Sequence, residues 1–71
     1  MRYMVVVEHG EKSWGAHVPY LPGCVAVGET RDEVLHLIRE AIDLHIEGLK
    51  QDGIPVPPPT SESEFVEVNA A

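Results

Sequence analysis

One cysteine, one tryptophan, one phenylalanine and five basic residues are all that this 71-residue chain offers of those types. A single cysteine forms no internal disulfide, and no Cys/His spacing suggests a structural zinc. Five bases against twelve acids leave a net charge of −7. Phosphate backbones repel such a surface, so no nucleic acid is expected to bind this chain by itself. Val5, Val6 and Val7 sit in an apolar run far too short for a secretory or spanning segment, so no membrane is expected either. A free thiol without a targeting segment points to a cytoplasmic location.

The length allows one domain, 1–71. A chain this short buries only roughly 60% of its unfolded surface, so a lone core is marginal and self-association is a natural supplement. The acidity serves solubility, or it complements a basic protein partner through opposed potentials.

What is present reads as three short strands, a helix and a last short strand. Tyr3, Val5 and Val7 alternate with Met4, Val6 and Glu8, and both sets are largely apolar, which suits a central strand buried on two faces. His9-Gly10-Glu11-Lys12 is a polar turn. A second strand covers about 14–18, with Gly15 marking a bulge or a close backbone approach, and Pro19 ends it. Pro22-Gly23 turns the chain into a third strand at 24–27. Thr30-Arg-Asp-Glu33 reads as a capping box for a helix over about Arg31 to Gln51, with Gly53 as its stop.

On that helix Val34, Leu37, Ile38, Ala41, Ile42, His45 and Leu49 share one face, opposite Arg39, Glu40, Asp43, Glu47 and Lys50. Leu35, Leu44 and Ile46 widen the apolar arc beyond what one sheet needs. The flanks Leu35, Leu44, His45 and Ile46 are therefore expected at an oligomer interface. Prolines at 55, 57, 58 and 59 impose an extended return, and Phe65, Val66 and Val68 read as a last strand.

The expected architecture is α+β, in the order β-β-β-α-β. Three strands form an antiparallel meander. The helix packs on one sheet face and makes a right-handed crossover to a fourth strand, parallel to strand one. The other sheet face stays free, and apolar sheet faces are seldom left wet.

No catalytic constellation emerges. A metal-dependent nuclease needs several converging carboxylates. Strand one offers only Glu8 at its end, and Glu40, Asp43 and Glu47 belong to a solvated helix face. Cys24 reads as a small buried hydrophobe rather than a nucleophile. His45, within the apolar arc, is read as a neutral core or interface histidine rather than a catalytic one, with a pH-sensing interface as a further hypothesis. Trp14, His17 and Tyr20 form either an exposed recognition patch or core and turn filler. His9 and His36 look like ordinary surface residues.

Leu-Pro-Gly-Cys-Val-Ala-Val-Gly-Glu-Thr at 21–30, then Asp32-Glu33, Ala41-Ile42-Asp43-Leu44-His45 and the exit Asp52-Gly53-Ile54-Pro55-Val56-Pro57, together resemble the HicB family of antitoxins. The resemblance runs from Tyr3 to about Val68. It implies a partial RNase H-like fold in the strand order given above. It also implies the role of an antitoxin in a type II toxin-antitoxin system, which blocks a small basic HicA-like mRNA-cleaving toxin by protein contact. No enzyme activity and no cofactor are implied. Acids near the helix start, Glu29, Asp32 and Glu33, are the expected rim of docking, beside Trp14, His17 and Tyr20. Longer family members carry a C-terminal DNA-binding segment, and the expectation here is a short form without one. A homodimer or homotetramer is expected. The alternatives are an orphan self-associating domain with another protein partner, or a divergent metal-dependent nuclease.

Overall fold

The structure, a computed structural model, describes residues 1–69. Three strands and a helix follow in order: β1 (Val6–His9), β2 (Trp14–His17), β3 (Val25–Gly28) and α1 (Arg31–Gln51). The sheet is an antiparallel meander, β1-β2-β3. Its register aligns His9, Trp14 and Gly28 in one row, and Val7, Ala16 and Ala26 in another. The β1–β2 turn is closed by Gly10 N–H donating to the Ser13 carbonyl at 2.9 Å.

Helix α1 takes the predicted bounds because both ends are chemically specified. The Thr30 side chain accepts from Glu33 N–H at 3.0 Å. The Glu33 carboxylate reaches back one residue beyond the cap and accepts from Glu29 N–H at 3.3 Å. Asp32 and Glu33 also meet the positive end of the helix dipole. At the other end Gly53 adopts φ 68°. Its N–H donates to Lys50 O at 3.2 Å, and Ile54 N–H donates to Leu49 O at 2.9 Å. These two bonds make a Schellman stop, which satisfies carbonyls that the helix itself cannot.

The helix lies on β3 and β2. Between them sits the core of Ala16, Val18, Leu21, Cys24, Val34 and Ile38, with Val5, Val7, Ala26 and Ile42 packed around it. At the end of β3 the sheet comes so close to the helix that a Cβ on Gly28 would meet Val34 N at 3.0 Å and Glu33 Cγ at 3.2 Å. Only glycine allows this approach without displacement.

Within the described residues β2 lies between two neighbours and β1 is an edge, so the expected central place of strand one depends on the fourth strand. Among the described residues no fourth strand pairs beside β1, and 65–69 has no strand assignment. The physical reason is the path of the return. Tyr3 Oη donates to the Pro57 carbonyl, and Tyr20 Oη is hydrogen-bonded to Thr60 Oγ1 at 2.9 Å and to Ser61 Oγ. Beyond that tether Phe65, Val66 and Val68 are 99%, 76% and 77% exposed. Both sets of apolar side chains in strand one nonetheless have an explanation. Val5 and Val7 face the helix, whereas Val6 faces the uncovered side of the sheet, as strand alternation requires.

Candidate functional site

The end of the molecule formed by the β1–β2 turn and the start of α1 gathers charge and aromatic surface. The register row His9–Trp14–Gly28 brings the turn beside the residues that lead into the helix. Trp14 is half-buried against the core, and its ring stacks on the His9 imidazole with centroids 4.0 Å apart and planes 5° from parallel. Glu29, Asp32 and Glu33, all exposed, follow within five residues of Gly28, and Glu11 lies in the turn after His9. One flat aromatic stack thus stands at the end of the sheet that carries four carboxylates. Such a surface suits a protein partner that supplies cations, with the aromatic as an anchor and the acids as a rim.

The structure separates the other residues expected beside Trp14. His17 lies three positions along β2 and therefore on the opposite sheet face, in a row with Val6 and Val25. Tyr20 is engaged with Thr60 and Ser61 and serves to tether the return segment. Those hydrogen bonds, Ser61 first and Thr60 second, hold its phenol below the usual tyrosine range. His9 is the residue that sequence reasoning passed over. The signal for it is the four-residue turn 10–13, which forces 9 and 14 to face each other.

A second surface is the sheet face away from the helix. Val25 and Val27 are 63% and 67% exposed there, with His17 and Glu8 between and beside them. Gly15 sits at its centre with open space where a side chain would be. On α1, Leu44 is exposed, whereas Leu35, His45 and Ile46 are half-buried. Exposed acids Glu40, Asp43 and Glu47 line the solvent side of the helix, where Glu40 pairs with His36 at 3.0 Å. An exposed i,i+4 pair of this kind contributes little.

Cys24 is buried, and that burial pushes its thiol above the usual range. Among the described residues, no group of three or more His, Cys, Asp or Glu side chains is placed to hold a metal ion. No helix among them is long and apolar enough to cross a membrane.

Comparison with known proteins gives a consistent picture. A family profile described as the HicB_like antitoxin of bacterial toxin-antitoxin system matches residues 3–70. Antitoxin HicB 2 of Photorhabdus laumondii is 35% identical over 72 residues, spanning 100% of this chain and 52% of that protein. A UPF0150 protein of Helicobacter pylori is 43% identical over 47 residues, spanning 66% of this chain and 65% of its own. A UPF0150 protein of Thermoplasma acidophilum is 38% identical over 63 residues, spanning 87% and 91%. The chain thus spans about half to two thirds of the first two relatives and nearly all of the third. No solved structure matches it significantly.

Proposed function

Because the chain belongs to the HicB-like antitoxins of bacterial toxin-antitoxin systems, we propose that it neutralises a small basic HicA-like mRNA-cleaving toxin in the cytoplasm by direct protein contact. The observation that carries this reading is the acidic end with its stacked His9–Trp14 pair. Glu29 and Asp32 make charge-assisted contacts to the toxin's basic surface, and Trp14 supplies the apolar anchor beside them. Occlusion of this kind requires no chemistry from the antitoxin. His17 and Tyr20 contribute only if the toxin reaches beyond this end, since neither lies on it.

The same reading completes the sheet. A fourth strand made by 65–68 lies parallel to β1 and closes a partial RNase H-like fold. The unpaired edge of β1 and the exposure of Phe65, Val66 and Val68 support it. The chain assembles as a homodimer or homotetramer, with Leu35, Leu44, His45 and Ile46 at the contacts; the apolar Val25–Val27 sheet face favours self-association.

The test is a pull-down from the native cytosol with this chain as bait. A stoichiometric small basic protein whose RNase activity the bait silences is the expected result. Glu29→Lys with Asp32→Lys weakens that complex by at least about tenfold, and the wild-type affinity falls steeply as salt is added. Recovery of the bait alone, as a clean oligomer, overturns the toxin reading in favour of an orphan domain.

A further inference from the structure

The stretch 2–5 that leads into the edge strand β1 has an open seat beside it, bounded on two sides. On the outer side, 59–64 runs past 2–5 and leaves a groove of ≈ 730 Å³, walled by Arg2, Tyr3 and Met4 against Pro59, Ser61 and Glu62. On the helix side, a groove of ≈ 330 Å³ lies between the N-terminal stretch and α1, lined by Tyr3, Val5, Leu35, Ile38 and Ile42 together with the charged Arg39 and Asp43. It is open because the helix rests on β3 and β2. Backbone groups along the outer side of β1 have no strand neighbour among the described residues.

The chain also carries the part that fits this seat. In an extended 65–68, Val66 and Val68 project from one face and Phe65 from the other. Two β-branched side chains would meet the apolar part of the helix-side groove, and Phe65 would join Val6 on the uncovered sheet face. Yet this segment does not turn into its own seat. Residues 57–61 are tied to Tyr3 and Tyr20, 62–64 form the outer wall of the groove, and 65–68 continues into solvent. The radius of gyration is 14.3 Å, against about 11 Å for a compact chain of this length. The longest dimension is 51 Å, although a helix of this length accounts for only about 31 Å.

We propose that 65–68 of one copy pairs with β1 of a second copy, whose own 65–68 returns the exchange, giving a two-fold arm-exchanged dimer. Closed two-fold symmetry leaves neither β1 edge free and buries both arms at once. The inference rests on the fourth-strand reading above and is independent of any toxin.

The deciding experiment mixes isotope-labelled and unlabelled full-length chains and records filtered NOEs, alongside the mass by sedimentation. A dimer with contacts from Val66 and Val68 of one chain to Ile42 and Tyr3 of the other is the expected result. A monomer, or those contacts within a single chain, overturns the exchange while leaving a fourth strand intact. Absence of the contacts altogether overturns both. Val66→Asp with Val68→Asp places two carboxylates against Val5, Ile38 and Ile42 and should raise the dimer dissociation constant at least about 100-fold. An unchanged dimer in that variant also sinks the proposal, and if the variant fails to fold, the filtered spectrum of the wild type still decides.

Discussion

At the scale of single residues, Gly28 shows how a strand end can be constrained without a charged or catalytic group. The first turn of α1 stands against it at 3.0 Å from where a Cβ would be. Gly28→Ala should cost about 1–3 kcal/mol by forcing the helix start away from the sheet, measured by urea unfolding. Cys24 makes a second case. Burial raises its thiol above the ordinary value in the folded state only. The unfolded chain therefore loses its proton first as pH rises, so stability is intact below the ordinary thiol pKa and declines above it. Unfolding midpoints taken across the alkaline range check the sign, and a thiol reagent should react with Cys24 far more slowly in the native protein than in urea. Glycine before a helix and cysteine after a turn were both readable in the sequence as residue types. The 3.0 Å approach at Gly28 was not, because it depends on how tightly the chain turns from β3 into α1.

At the scale of elements, α1 was the most legible part of the chain. Thr30, Glu33 and Gly53 specify its ends through local bonds that need no tertiary context. Thr30→Ala should lower stability by about 1 kcal/mol. Ile38→Ala, at a site 2% exposed, should lower it by about 2–5 kcal/mol. Thermal unfolding of the two variants, followed at the helix signal, separates a frayed end from a hollowed core. The strands were legible as strands, but the place of strand one was not, because it depends on whether a fourth strand covers its outer edge. Two apolar faces identify a strand with apolar surface on both sides, not one with neighbours on both edges. Val6 contributes its apolarity to an uncovered sheet face, so the pattern has an explanation without a neighbour on the outer edge. The division of Trp14 from His17 was available from parity alone, since residues three apart on a strand point to opposite faces.

At the scale of the molecule, family membership and charge were visible early, because both are distributed over the chain. The grouping of His9 with Trp14 and the helix-start acids was not, since it depends on the register of two strand pairs. Long-range placement likewise decides what becomes of 65–68. Its composition is that of a strand, but composition does not say whose sheet it joins.

The tethered return has one further consequence. A protease must draw its substrate into an extended conformation, and 62–68 is already exposed and free of any ladder. Cleavage after Phe65 would need no unfolding of the core, whereas a seated segment would be shielded. The lifetime of this chain in a cell would then report whether that segment is occupied, so turnover itself becomes a readout of assembly.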